Sequence, residues 1–164
     1  MSAEINLSIS YLDSNKVNAR LFQYAVIVAR YKHQWLFVRQ TTRDTYELPA
    51  GRREPGETIE QTARRELWEE TGATVYDLQS ISAFYVGQRT VSENGIQQDD
   101  SLGMLYFAEV YQLGQRPEDS EIGELLTDDH MPQPLSYPDI QPCLFERVKA
   151  ALNEIGHQTS NQCS

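Results

Sequence analysis

Glu66, Glu69 and Glu70 lie within five consecutive residues, and Glu57 stands nine residues before the first of them. At three- and four-residue spacing on a helix, such carboxylates sit side by side and repel one another. They also crowd the negative end of the helix dipole, where a sequence shaped only for stability places lysines. A bound divalent cation is the simplest reason to keep them there. Hard cations such as magnesium take oxygen ligands, and clustered glutamates supply them. A Gly/Pro-rich loop carrying Arg52 and Arg53 precedes the glutamates, and arginine suits two-point recognition of phosphate. Residues 51–73 therefore read as a metal-and-pyrophosphate site. The bland alternative, a solvated charged face with Arg64 and Arg65 as local partners, gives no reason for the loop.

The elements that must position these groups are legible in outline. Thr58 and Gln61 make a capping-box pattern, and Gly72 stands where a left-handed C-terminal cap belongs, so residues 58–71 are predicted helical. Ile59, Ala63 and Leu67 form its apolar stripe at about 100° per residue. Glu66 and Glu70 project beside or within that stripe and Glu69 lies off its edge, which turns them toward the body of the protein. The continuous apolar run at residues 25–29 predicts a buried central strand, and residues 34–40 a second, joined to it by a short turn at residues 31–33. Residues 46–49 read as a brief extended piece, and residues 77–88 and 102–113 as further strands. Between these last two an exposed acidic loop is expected at residues 92–100. Residues 132–142, rich in proline, read as a stiff connection into a last helix over residues 140–155. The fold class predicted is α/β (α+β), a mixed central β-sheet with helices packed on its faces.

The 164 residues suit one domain over residues 1–155, with a mobile polar tail at residues 156–164. The formal net charge of −10 argues against a nucleic-acid polymer as partner, because such binding uses basic patches to neutralise many phosphates. A small phosphorylated substrate accompanied by magnesium remains compatible with it. Cys143 and Cys163 have no ligand-like spacing, no segment approaches 18 apolar residues, and the N-terminus lacks a basic region before an apolar run. A cytoplasmic protein without a membrane span is expected. Formation of a homodimer is left open.

Gly51, Glu57, Arg65, Glu66, Glu69, Glu70 and Gly72 together resemble the Nudix box, G-x5-E-x7-R-E-U-x-E-E-x-G-U, in which U is a bulky aliphatic residue. The one departure is Ala73, where a larger side chain is usual, and it touches packing rather than chemistry. The lead-in Glu47-Leu48-Pro49-Ala50 also resembles that of the family. The resemblance implies a Nudix-type α/β/α sandwich that hydrolyses a nucleoside diphosphate linked to some other group. It further implies magnesium as cofactor, with manganese as an alternative. Carried over residue by residue, Glu69 and Glu70 ligate the metal, and Glu66 binds a second metal or helps activate water. Glu57 supports the site, Arg65 orients the glutamates by salt bridging, and the Ala50 carbonyl adds to the metal shell.

Other assignments rest on less. Arg39, Arg52 and Arg53 are read as phosphate contacts, with solvated arginine an equal alternative. Of Glu118, Glu121 and Glu124, Glu121 is chosen as the downstream acidic metal ligand. Trp35, Tyr46, Phe84 and Tyr85 are read as core aromatics in preference to base-stacking ones. His33, His130 and His157 receive no role. The function expected is cleavage of a small nucleotide substrate, first a nucleoside triphosphate (oxidised purines included) to monophosphate and pyrophosphate. The alternatives are an ADP-ribose or nucleotide-sugar pyrophosphatase and a non-catalytic nucleotide-sensing module.

Overall fold

The computed structural model describes residues 2–162, with side chains as far as residue 154. Cys163, and the side chains of Ile155 and His157, lie outside the described residues. The strands are β1 (Glu4–Leu12), β2 (Tyr24–Tyr31), β3 (Gln34–Gln40), β4 (Ala50–Arg52), β5 (Ala73–Ser92), β6 (Gly95–Leu113) and β7 (Ile122–Asp128). The helices are α1 (Ile59–Thr71) and α2 (Gln141–Gln162), so the backbone of α2 continues past the expected end at residue 155. Strand order is β1-β5-β6-β2-β3-β7, with β4 paired to β2. Only the β2–β6 ladder is parallel, which makes the sheet mixed as expected.

β2 explains the layering. Its side chains alternate between faces: Ala25, Ile27 and Ala29 join the core under Ala63 and Leu67 of α1. Val26 and Val28 join the opposite core under Leu144, Phe145 and Val148 of α2. A strand buried on both faces reads as an unbroken apolar run, and the result is a three-layer α/β/α sandwich. At the β2–β3 turn, Lys32 and His33 both adopt positive φ, 51° and 69°, the geometry of a tight hairpin whose twist matches its strands.

Three expectations need correction. Residues 92–100 are not a loop: β5 and β6 run on as a long hairpin, Val91 opposite Ile96 and Ser92 opposite Gly95. Its tip is the Glu93-Asn94 pair, and Gly95, which follows it at φ 111°, takes a conformation that costs glycine little. β1 lies outside the expected elements, although Ile5, Leu7, Ile9 and Tyr11 alternate in it, and it pairs along its whole length with the outer half of β5. β7 is also an addition. It converts Glu124 from a loop residue into the cross-strand partner of Arg39.

Candidate active site

α1 is held at both ends. The Thr58 hydroxyl accepts from the Gln61 N–H at 3.1 Å while the Thr58 N–H donates to Gln61 Oε1 at 2.9 Å. At the far end Gly72 adopts φ 78° and donates to the Trp68 carbonyl at 2.8 Å. With both ends fixed, the last two turns of α1 carry Glu66, Glu69 and Glu70 to the edge of the sheet where β4 crosses. Gly51 of β4 lies so close that a Cβ there would run into the Glu66 carboxylate. The glycine is what lets backbone and carboxylate share that space.

Arg65 organises the charges. Its Nε donates to Glu57 Oε2 at 2.7 Å and its Nη2 to Glu57 Oε1 at 3.0 Å. Its Nη1 reaches Glu66 Oε1 at 2.7 Å and Glu69 Oε2 at 3.2 Å, and Nη2 also meets the Arg52 carbonyl at 3.0 Å. Glu57 accepts further from the Glu54 N–H at 2.8 Å and the Thr62 hydroxyl at 3.1 Å. The Arg65 guanidinium, aided by these donors, holds the Glu57 carboxyl down at about 2.

Glu70 is in the opposite state. It is 8% exposed, and burial pushes its carboxyl well above the usual range. The charges of Glu66, Glu47 and Glu121 push the same way, opposed by the Ala50 N–H that Glu70 accepts at 2.8 Å. Burial likewise raises Glu66, against the pull of Arg65. Among the described residues Glu70 has no ion-pair partner, and Glu66 is half-buried with Arg65 as its one cation. The donor set is all oxygen, and it opens on a cleft of 610 Å³ that Ala50, Arg52, Glu69 and Glu121 also line. These residues fit a hard divalent cation. Among the described residues, no three acidic or histidine side chains already point at one centre. The physical reason is visible: Arg65 holds Glu66 and Glu69, and the Ala50 N–H holds Glu70.

The other expected residues divide. Glu121 reaches the cleft because its loop is tied down twice, by Ser120 Oγ donating to the Glu69 carbonyl at 2.8 Å and by the Thr41 N–H donating to the Glu121 carbonyl at 2.9 Å. Arg52 lines the cleft. Arg39 instead pairs with Glu124 at 3.2 Å and donates to the Gln40 and Arg43 carbonyls. Arg53 donates to the Phe22, Glu57 and Arg20 carbonyls and pins the loop before α1. Trp35 and Phe84 pack against Phe145 and Tyr24 rings, as core aromatics.

Sequence reasoning missed a second cavity, 300 Å³ in volume, which shares Gln40, Ala50, Gly51 and Arg52 with the cleft. Tyr24, Tyr137, Glu47 and Gln141 complete its polar and aromatic lining. Gln141 Oε1 accepts from the Leu48 N–H at 2.8 Å. Glu47, 6% exposed, accepts from Gln40 Nε2 at 2.7 Å and from Arg43 Nη1 at 3.3 Å. Arg43 in turn lies over the Tyr137 ring, 5.8 Å from its centroid. The Pro-rich connection, read as a stiff link, delivers Tyr137. A buried glutamate in the lead-in was the one local signal available.

Comparison with known proteins agrees with this geometry. A family model described as the NUDIX domain matches residues 21–137. A Bacillus subtilis (strain 168) protein named ADP-ribose pyrophosphatase is 51% identical over 49 residues, covering 30% of this chain and 26% of that protein. A second protein of that organism, YtkD, provisionally named an 8-oxo-dGTP diphosphatase, is 32% identical over 111 residues, covering 67% of this chain and 64% of its own length. The matched region thus spans less than two thirds of either curated relative. Among solved structures, a Bacillus subtilis pyrophosphohydrolase mutant superposes with TM-score 0.68 at 21% identity, over 88% of this chain and 90% of that one. At that identity the likeness is one of fold.

Proposed function

This chain belongs to the NUDIX domain family, and on that premise we propose that it is a metal-dependent pyrophosphohydrolase. Its substrate is a nucleoside diphosphate linked to a further group. The first choice is a purine nucleoside triphosphate, oxidised purines included, cleaved to monophosphate and pyrophosphate. One observation carries this reading: Glu66 and Glu70, both carboxyls raised by burial, open on a cleft that meets, at Ala50–Arg52, a separate cavity of 300 Å³.

Glu66, Glu69 and Glu70, with the Ala50 carbonyl and Glu121, would hold a divalent cation, magnesium first and manganese second. When bound, that ion neutralises phosphate oxygens and acidifies the attacking water. Arg52 takes a phosphate oxygen at the boundary between cleft and cavity. Tyr24 and Tyr137 bracket the base, and the Gln141 amide, whose oxygen is engaged with Leu48, keeps its N–H donors for the base edge. Water oxygen bonds to phosphorus, the phosphoanhydride P–O bond breaks, and the water proton passes to Glu66, a carboxyl already raised by burial. Arg65 holds Glu57 and keeps α1 in register with the loop. The setting proposed is a reducing cytoplasm, supported by the free thiol of Cys143. No described helix is long and apolar enough to cross a membrane.

A panel of nucleotides with magnesium or manganese, scored by product, tests this. Monophosphate plus pyrophosphate from triphosphates supports the first choice. The relative named ADP-ribose pyrophosphatase favours a second reading, for which AMP plus ribose phosphate from ADP-ribose is the signature. Nucleotide binding with no metal-stimulated turnover on any member would transfer the chain to the sensing modules.

A further inference from the structure

On the α1 face of the sheet lies a cavity of 520 Å³ that shares no lining residue with the carboxylate cleft. Its floor is Phe22, Met104 and Tyr106, each under 5% exposed, with Leu78 and Ile59 as apolar walls. A mere packing fault would be lined by apolar atoms alone. Glu57 and Glu60 also line it, but each is already paired, with Arg65 at 2.7 Å and Arg64 at 2.9 Å, and Arg53 spends its donors on carbonyls. Two polar groups keep unspent capacity.

The first is the Tyr106 hydroxyl. Burial pushes it up to about 12, with the Glu60 charge adding to the effect, so it stays protonated near neutrality and remains a donor. Among the described residues nothing pairs with it. Yet no enclosed side-chain oxygen is left without a partner, so the phenol oxygen must open into the cavity. The second is the Arg20 guanidinium at the rim. The Arg20 backbone is fixed, its N–H donating to Asn18 Oδ1 at 3.0 Å and its carbonyl accepting from Arg53 at 2.9 Å. Its side chain forms no ion pair among the described residues. In a chain of net charge −10, an unclaimed cation beside an apolar cavity selects an anion.

We infer that this cavity is a second binding site, taking a small aromatic carboxylate. Its ring lies on Phe22, Met104 and Leu78, an acceptor on it meets the Tyr106 O–H, and its carboxylate meets Arg20. The volume is that of small-molecule sites. The cleft is not needed for it.

6-Methoxy-2-naphthoate, a naphthoate whose ether oxygen is the ring acceptor, serves as the probe, titrated into the full chain by fluorescence, with the nucleotide cleft empty or filled by magnesium and a non-hydrolysable nucleotide. Saturable binding is expected in both conditions. Tyr106→Phe weakens it about fivefold, the value of one hydrogen bond. Arg20→Ala weakens it about tenfold, and the neutral amide of the probe binds wild type as weakly as naphthoate binds Arg20→Ala. Leu78→Trp, which fills the space, abolishes it, and melting curves check that this variant folds. No saturable binding, displacement by the nucleotide, or affinity unmoved by Tyr106→Phe and Arg20→Ala together overturns the assignment.

Discussion

The Glu57 carboxylate and the Arg65 guanidinium meet at two points, Nε to Oε2 at 2.7 Å and Nη2 to Oε1 at 3.0 Å. The contact joins the loop before α1 to the second turn of that helix. It also leaves Nη1 free to hold Glu66 and Glu69. One planar fork thus sets the position of three carboxylates, and a point charge cannot do so.

Arg65→Lys is therefore expected to keep the charge and lose the fork. A charged hydrogen bond contributes about 1.5–3 kcal/mol, and at least two are lost. The melting temperature should fall and kcat should drop by at least about tenfold. Wild-type kcat in the lysine variant would show that charge alone suffices.

Glu70→Gln separates stability from catalysis. Folding raises the Glu70 carboxyl above its ordinary 4.5, so the unfolded chain loses that proton at lower pH than the folded one. The contribution favours the fold below about 4.5 and is lost as pH rises through the raised folded value. The glutamine variant lacks that loss, so at pH 8 without metal it should melt at or above wild type. Its metal-induced stabilisation should vanish and turnover should fall by about 10²–10⁴-fold. A metal-dependent melting shift retained in this variant would remove Glu70 from the ligand set.

Glu57 has the opposite sign. Its folded value of about 2 lies below the ordinary 4.5, so its contribution is present above about 4.5 and drains away as pH falls toward 2. Urea unfolding followed from pH 5 to pH 2.5 should show a shallower acid decline in Glu57→Gln than in wild type. Equal slopes would mean that the carboxylate does not stabilise the fold.

Gly51→Ala places a methyl group where the Glu66 carboxylate stands. Far-UV circular dichroism should be unchanged while kcat falls about a hundredfold, the cost of displacing a reacting group by about 1 Å. Full activity would show that Glu66 can retreat without consequence.

Tyr137 is 45% exposed, and its removal should disturb the core little. Tyr137→Ala should raise KM about tenfold through lost base stacking and leave kcat nearly unchanged. The reverse pattern, a lower kcat at constant KM, would place the base elsewhere.

The box was legible because its polar positions combine a helical period with a cap at each end, and both are local properties of the chain. β2 and β3 were legible for the same reason, β2 as an apolar run and β3 as a short apolar-rich segment after a tight turn. The outer hairpin was not, because charge and polarity around Asp99 and Asp100 mask strands that are exposed on both faces. There the Glu93-Asn94 turn, with Gly95 after it, was a better guide than composition. The 300 Å³ cavity beside Ala50 was least legible. Leu48 and Gln141 stand 93 residues apart and meet only through one hydrogen bond, and no local period announces such a pairing. Arg39 and Arg53 show the limit of residue type alone, since both spend their donors on protein oxygens.

The clasp of Gln141 on Leu48 has a consequence for synthesis. A nascent chain has residues 51–73 outside the ribosome while Tyr137 and Gln141 are still inside the exit tunnel. Until that later segment emerges and docks, the Leu48 N–H lacks its Gln141 acceptor and the cavity lacks its Tyr137 wall. The cavity beside Ala50 is therefore completed only once the last helix has docked on the sheet.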